Sequence, residues 1–149
     1  MKKISMICIL SILFSFNLVF AQKLHKKSVP SLIINSFQRE YPRAFDIEWK
    51  MDGDVYKVEF ETGIRRHDHT IWYDNTGKKV RQKSEISKRD LPEKVLISIK
   101  NNFDGYRTSD LKAIQEAGKT IYTIELKRQY EEWKVSFDAD GEIISKIPD

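Results

Sequence analysis

Apolar residues are spaced three and four positions apart in two stretches of this chain, residues 29–41 and 91–103. This spacing places them on one face of an α-helix, so each stretch is predicted to be a helix with one buried face. Ser28 and Asp90 precede the two stretches as candidate N-caps, and a proline follows each of them two positions later. The residues predicted to face the core are Leu32, Ile33, Phe37 and Tyr41 in the first helix, and Val95, Leu96, Ile99 and Phe103 in the second.

Polar and apolar residues alternate one by one in the segments that follow each helix. This alternation is typical of strands that have one buried face. Turns containing aspartate or glycine separate the segments, as they do in antiparallel hairpins. The predicted strands cover 45–49, 55–60, a segment ending at 73, and 78–86 in the first half, and 111–114, 121–126, a segment ending at 137, and 142–147 in the second.

The same order of elements therefore occurs twice. Matched residues lie 62 to 66 positions apart, as small insertions and deletions in turns would cause: Pro30 with Pro92, Gly77 with Gly141, and Tyr56 with Tyr122. The sequence predicts an α+β fold, a tandem repeat of a helix plus a four-stranded antiparallel sheet, with repeat 1 over residues 28–86 and repeat 2 over residues 87–149. The pattern leaves open whether the two sheets form one surface or two.

The first residues have the composition of an export signal. Lys2 and Lys3 precede an apolar run over residues 4–20, and Ala21 is a small residue suited to cleavage. We predict a signal peptide over residues 1–21, cleavage after Ala21, a flexible segment over residues 22–27, and a periplasmic or secreted protein. An uncleaved anchor is the alternative, but polar residues within the run favour the cleaved signal.

Removal of the predicted signal changes the charge and the cysteine content. The 26 basic residues fall to 24 against 22 acidic ones, which leaves a net charge of +2, and Cys8, the single cysteine, is lost. A cysteine-free mature chain excludes thiol catalysis, disulfide bonds and cysteine-ligated zinc. The near-neutral charge argues against nucleic acid as a partner, because such binding depends on clustered Lys and Arg. No membrane span is expected in the mature chain.

Several short motifs follow one another in a fixed order: Val29-Pro30, Phe37, Tyr41-Pro42, Trp49, Asp52-Gly53, Tyr56-x-Val58-x-Phe60, Trp72-Tyr73-Asp74-x-x-Gly77, Asp90-Leu91-Pro92, Tyr122, Phe137 and Asp140-Gly141. Through these motifs the chain resembles the PepSY-like family of the β-lactamase-inhibitor-like (BLIP-like) superfamily, small exported proteins common in Bacteroidetes. The resemblance implies tandem helix-plus-sheet repeats, an envelope location and no established enzymatic activity. In the inhibitor relatives the sheets form a concave surface that grips a partner protein. No catalytic residue and no enzyme-binding loop can be carried over to this chain.

The sequence contains no motif that would support catalysis. The patterns G-x-S-x-G and H-E-x-x-H and the Walker-type loop are absent. Residues 138–141 resemble the start of a calcium loop, but the twelfth position is Asp149 rather than a glutamate, and a hairpin turn explains them better. We therefore predict that the protein is not an enzyme and uses no cofactor.

His67 and His69 form the one candidate metal site. Residues two positions apart on a strand share a face, so the two imidazoles could bind one zinc or copper ion. A third ligand is not evident in the sequence, and a histidine pair at the rim of the sheet is the favoured interpretation. The metal site supports an alternative function, a periplasmic metal or small-ligand sensor.

Trp72 is the candidate contact residue for a partner. Its parity places it with Arg66 and Asp68 on the strand face opposite Ile71 and Tyr73. An outward tryptophan among charges is either an anchor for a partner or a cover for an edge or gap between sheets. We predict a binding module that docks an envelope protein or peptide, with Trp72, Arg66, Asp68, Lys57 and Glu59 as its partner-binding residues.

Overall fold

The computed structural model describes residues 23–149. The predicted signal peptide and its cleavage site after Ala21 lie outside the described residues. Lys23 and Leu24, predicted to be flexible, form a short strand against the first long strand, and residues 26–28 form a single 3₁₀ turn. Two ladder pairs therefore connect this segment to the sheet.

Two α-helices occur where the apolar spacing predicts them. Helix α1 is Ser31–Glu40 and helix α2 is Glu93–Asn102. Their N-caps are Pro30 and Pro92, and neither makes a side-chain capping bond, so the prediction that Ser28 and Asp90 cap the helices is wrong. Each of those polar residues ends a 3₁₀ turn just ahead of the helix, where Asp90 accepts hydrogen bonds from the backbone and side chain of Ser87.

The described strands form one antiparallel sheet in which each strand pairs with the next along the chain. The two halves are joined edge to edge, because the last strand of the first half pairs with the first long strand of the second half from Arg81 opposite Glu116 to Glu85 opposite Lys112. The question left open by the sequence is thus decided in favour of one surface. The strands are β1 Lys23–Leu24, β2 Phe45–Asp52, β3 Val55–Thr62, β4 His67–Tyr73, β5 Lys79–Glu85, β6 Arg107–Glu116, β7 Lys119–Arg128, β8 Glu131–Asp138 and β9 Ile143–Pro148.

Both helices pack on the same face of this sheet. The cross-strand pairs place Ile71, Gln82 and Gln115 on one face, and the alternation of β7 continues that face to Tyr122 and Ile124. We call it the helix face and the opposite side the open face. Neither helix has the length and apolar stretch that crossing a bilayer requires.

The apolar core consists of two clusters, one under each helix. Tyr73 in the first and Phe137 in the second occupy equivalent positions, and both are almost fully buried. Leu32, predicted to face the core, is 58% exposed, because the buried stripe of α1 is narrower than the spacing suggests. The buried residues are Val29, Ile33, Phe37, Trp49, Val58, Phe60, Ile71 and Tyr73 in the first cluster, and Leu91, Val95, Ile99, Phe103, Ile124, Leu126, Val135 and Phe137 in the second.

Candidate functional site

The open face carries no helix in the described part of the chain. Its side chains form cross-strand rows, since directly opposed residues on paired strands share a face. One row runs through Lys50, Lys57, Trp72, Arg81 and Glu116 on five successive strands. The next row begins with Glu48 and Glu59. The face that the sequence predicts to be charged and outward is therefore continuous across the first half of the sheet and into β6.

Trp72 lies at the centre of the first row. Its indole Nε1 donates a hydrogen bond of 2.7 Å to the carboxylate of Asp52. The Nζ of Lys57 is 5.9 Å from its ring centroid and the guanidinium carbon of Arg81 is 4.8 Å away, both distances suited to cation–π contact. These three side chains leave Trp72 only 8% exposed. Trp72 points outward as predicted, and its ring is covered by charged neighbours.

Glu59 connects two lysines of the same face. Its carboxylate is 2.7 Å from the Nζ of Lys50 and 2.7 Å from the Nζ of Lys57. Partial burial alone would raise the pKa of Glu59, but the hydrogen bonds from both lysines outweigh it and lower that pKa. Lys57 therefore contacts both Trp72 and Glu59, and the predicted residues Trp72, Lys57 and Glu59 belong to one network.

Arg66 and Asp68 lie at the other end of this face. Arg66 occupies the turn before β4 with a φ of 54°, and its guanidinium pairs with Glu61 at 2.6 Å and with Asp46 at 3.2 Å. Asp68 is exposed, and its backbone N–H donates a 3.3 Å hydrogen bond to Glu85. These residues surround a separate region of the open face, two rows from Trp72.

A hollow of about 380 Å³ lies between the two groups. Two lysines, Lys83 and Lys112, reach it. Lys83 makes no ion pair among residues 23–149, and partial burial, together with the nearby Lys112 and Lys57, lowers its pKa. The hollow is lined by Asp46, Glu48, Glu59, Phe60, Glu61, Asp68, His69, Thr70, Lys83, Glu85 and Lys112. Six carboxylates and two lysines line it, but Arg66 pairs with Asp46 and Glu61, and Lys50 and Lys57 pair with Glu59, so most of its negative charge is balanced.

The two histidines of the metal hypothesis lie on the helix face. The Nε2 of His69 is 2.7 Å from the hydroxyl of Thr62 and its Nδ1 is 3.0 Å from that of Ser84, while its ring stacks on Phe60 at 5.1 Å. Burial lowers the pKa of His69. The Nδ1 of His67 is buried, has no hydrogen-bond partner among the described residues and lies 3.8 Å from a Glu85 oxygen. Both nitrogens of His69 are thus engaged by hydroxyl groups.

A group of three carboxylates with metal-like spacing lies elsewhere on the open face of the described chain. Oxygen atoms of Glu125, Glu132 and Asp149 lie within 4.8 Å of one another. Lys127 forms ion pairs with Glu125 and Glu132, and Lys134 pairs with Asp149 at 3.0 Å. Two lysine charges therefore already balance much of this acidic group, which serves as a surface ion-pair network.

Three residues of the open-face network were not found by sequence reasoning. From the sequence, Asp52 is interpreted as a turn residue, and Arg81 and Lys83 are interpreted as part of a solvent-exposed basic run over residues 78–83. Only the pairing of β4 with β5 places Arg81 opposite Trp72 and Lys83 opposite Thr70. A predicted register for this hairpin would have been the one usable signal.

Comparison with solved structures identifies the fold. A DUF2874 family protein from Bacteroides uniformis matches with a TM-score of 0.65 and 19% identity over 80% of this chain and 88% of the other. A protein from Bacteroides eggerthii, described as one of the "putative periplasmic proteins", matches with a TM-score of 0.66 and 17% identity over 80% of this chain and 88% of its own. A BLIP-like protein from Bacteroides fragilis gives 0.62 and 16% over 80% and 85%. No curated protein matches.

The sequence also matches a family model. The family is described as "Putative beta-lactamase-inhibitor-like, PepSY-like", and its model matches residues 19–78 and residues 54–145. The two matches together span most of the chain, and they are consistent with a repeated unit. They agree with the BLIP-like fold of the solved structures and with the predicted resemblance. The chain belongs to the PepSY-like, β-lactamase-inhibitor-like family.

Proposed function

We propose that the protein is a non-enzymatic exported binding module that docks a protein or peptide partner in the cell envelope through the open face. The observation that carries this proposal is the uncovered charged face, where a hollow lined by charged residues adjoins a fixed tryptophan network. A sheet face without a helix over it in the described residues can accept a partner with little rearrangement.

The network around Trp72 supports a preorganised contact surface. Asp52, Lys57 and Arg81 hold the indole in one orientation, so little side-chain freedom is left to lose on binding. Trp72 acts in this proposal by positioning Lys57 and Arg81, and the exposed Asp68 and Arg66 supply the direct contacts. Interfaces commonly combine a rigid centre with a polar rim of this kind.

The relatives support the class of function and the location. One structural neighbour carries a BLIP-like name, which belongs to an inhibitor type of fold, and another carries a periplasmic description. The basic and apolar N-terminal segment agrees with export of this chain. We infer a binding role in the periplasm or outside the cell, with the partner still to be identified.

Charge reversal at the hollow tests the proposal. The double variant Asp68→Lys, Glu85→Lys should weaken capture of the native envelope partner about tenfold or more, because like charges placed across an interface repel. The matched control is Asp140→Lys, Glu142→Lys, which reverses two exposed acidic residues at the far turn between β8 and β9. Equal capture by both double variants would exclude the hollow as the docking site.

Trp72→Phe separates the fixed network from the charges. It keeps an aromatic ring between Lys57 and Arg81 and removes the donor to Asp52. We expect partner affinity to fall while circular dichroism and the melting temperature stay near those of the wild type. Unchanged affinity would show that the fixed orientation of the indole does not contribute to binding.

A metal or small-ligand sensor using His67 and His69 is the second candidate function. The buried Nδ1 of His67, which lacks a hydrogen-bond partner, favours it. Binding would require His69 to give up its contact with Thr62 or Ser84. Calorimetric titration of zinc and copper into the wild type and a His67→Gln variant tests it, and the absence of binding below about millimolar concentration would end this hypothesis.

A further inference from the structure

The turns at the two ends of the sheet differ in charge. One end contains residues 41–44, 63–66, 86–90, 103–106 and 129–130, and we call it the basic end. These segments hold five basic residues and two acidic ones. The segments at the opposite end, 53–54, 74–78, 117–118 and 139–142, hold four acidic residues and one lysine. The difference in charge between the turns therefore runs along the strands, while the strand ends beside the basic end carry Asp46, Glu61, Asp68 and Glu85.

Most cations of the basic end make no ion pair within residues 23–149. Arg66 pairs with Glu61 and Asp46, as described above. The other four are exposed and make no ion pair among residues 23–149: Arg43, Arg65, Lys88 and Arg89. Arg65 and Arg89 line one shallow hollow together with Glu85 and Asp90, so cations from two separate connections lie close together. These charges are available to an anionic partner.

Two fully exposed apolar side chains project from the same end. Ile64 lies in the turn between β3 and β4 and is 102% exposed, and Tyr130 lies in the turn between β7 and β8 and is 103% exposed. The two hairpins occupy equivalent places in the two halves. Four strand intervals separate them, which corresponds to about 19 Å at the usual strand spacing. Two such points, together with the unpaired cations, suit a broad surface rather than a pocket-sized ligand.

We propose that the basic end docks on an anionic membrane surface, with Ile64 and Tyr130 entering the interface and the unpaired cations meeting lipid phosphates. Tyrosine and apolar side chains are favoured at the boundary between headgroups and acyl chains, and basic residues next to them gain from anionic lipid. The acidic opposite end would then point away from the membrane. Strands that run toward the bilayer leave the row through Lys57, Trp72 and Arg81 free, while Arg66 lies in a turn of the basic end itself.

Vesicle sedimentation tests this proposal. The chain beginning at Gln22, which contains both helices and all the described strands, is mixed with vesicles of phosphatidylcholine and phosphatidylglycerol at 7:3, and separately with pure phosphatidylcholine. We expect sedimentation with the anionic vesicles that weakens with added salt, and little with the neutral ones. No sedimentation with the anionic vesicles would overturn the proposal.

Matched variants locate the docking surface. Arg65→Ser, Arg89→Ser should lower the partition coefficient about fivefold for each cation removed, or roughly 25-fold together. The double variant Ile64→Ser, Tyr130→Ser should lower the partition coefficient on anionic vesicles more than the arginine double variant does, toward the value that the wild type has on neutral vesicles. The controls are Lys78→Ser, Lys119→Ser at the opposite end and Leu32→Ser on α1, which should leave it unchanged. Equal losses in the controls would assign binding to general charge or exposed apolar surface and overturn the proposal.

Two further measurements separate this proposal from other partners. Binding to a soluble anionic polysaccharide that is as strong as vesicle binding, and unaffected by Ile64→Ser, Tyr130→Ser, would identify a polyanion site and contradict membrane docking. The Asp68→Lys, Glu85→Lys variant should bind anionic vesicles at least as well as the wild type. Because this variant is expected to lose its envelope partner and to keep vesicle binding, the open-face proposal and the membrane proposal can fail independently.

Discussion

The two halves of the sheet share a core and differ at its rim. Where the first half has His69 opposite Ser84, the second half has Trp133 opposite Pro148. His69 makes hydrogen bonds to two hydroxyl groups, whereas the Trp133 ring is covered by the Nζ of Lys146 at 4.0 Å. The same place in the fold is thus completed by polar contacts in one half and by apolar and cation–π contacts in the other.

The position of the last strand in each half accounts for much of this difference. Strand β5 lies between β4 and β6, where the two halves join, and its helix-face side chains extend the hydrogen bonds of His69 through Ser84 and Gln82 to Lys79. Among the described strands, β9 pairs only with β8, and it is exposed along its whole length. A strand at the join must satisfy polar groups between two separate apolar clusters, whereas an edge strand can leave them to water.

The open face differs between the halves in the same way. Trp72, Lys57 and Arg81 of the first half correspond to Ser136, Thr123 and Ser145 of the second. The first group carries charge and an aromatic ring, while the second carries three hydroxyl groups. A common core therefore supports two surfaces of different chemistry, and the features proposed to bind a partner lie mainly on the first.

The largest expected difference between the halves concerns the turns that contact the helices. Gly77 and Gly141 have φ values of 80° and 83°, which L-residues adopt at a cost of about 1–2 kcal/mol. A Cβ at Gly141 would lie 2.5 Å from the backbone oxygen of Lys94, while one at Gly77 would lie 3.1 Å from the Leu32 side chain and 3.8 Å from that of Ile33. In urea denaturation, Gly141→Ala should lower the free energy of unfolding by about 3 kcal/mol or more, and Gly77→Ala by about 1–2 kcal/mol.

The Leu32 side chain can move because it is largely exposed, whereas the α2 backbone cannot. Gly53, with a φ of 61° and open space around it, provides the control for the backbone conformation alone. Equal losses for Gly77→Ala and Gly141→Ala would mean that the second half relaxes as easily as the first.

An exchange of the equivalent core aromatics should have a smaller effect. Tyr73 is buried and its hydroxyl has no hydrogen-bond partner within residues 23–149, while Phe137 fills the matching place without a polar group. Phe137→Tyr should lower the free energy of unfolding by about 1–3 kcal/mol, because it buries an unpaired hydroxyl. Tyr73→Phe should change it by about 0.5 kcal/mol or less, or raise it slightly. A large loss for Tyr73→Phe would reveal a partner for that hydroxyl.

The smallest expected effect is the pH dependence that His69 gives to the first half. Burial lowers the pKa of His69 below the value of 6.5 for an exposed histidine, the neighbouring His67 lowers it further, and Asp68 and Glu85 oppose the shift. The unfolded chain therefore takes up a proton first as the pH falls. The stability contributed by neutral His69 is complete above pH 6.5 and is lost as the pH falls below that value.

Denaturation of the wild type and of His69→Gln across this range measures the contribution. The wild type should lose more stability than the variant between neutral pH and lower pH, and His25→Gln, at an exposed position, should follow the wild type. Parallel curves for the wild type and His69→Gln would contradict the proposed role of burial.

The sequence predicted the elements well and the contacts between them poorly. The spacing of apolar residues three and four positions apart correctly located both helices. Period-two alternation placed Val58 and Phe60 in the core and Trp72 on the opposite face. The N-caps were wrong because a serine or aspartate near a helix start can instead close a 3₁₀ turn. The cover over Trp72 was missed because Asp52 lies 20 residues away and only the sheet brings its carboxylate to the indole.

The sequence by itself determined which segments are helices and strands, which side chains share a face and that the order occurs twice, because spacing along a chain is a local property. The tertiary structure alone decided that β5 pairs with β6 to make one sheet, that Arg81 and Lys57 cover Trp72, and that hydroxyl groups engage both nitrogens of His69. These features depend on strand register and on contacts between distant residues. Alternation along the sequence predicts which face of a strand a side chain is on, but not which residue of another strand it contacts.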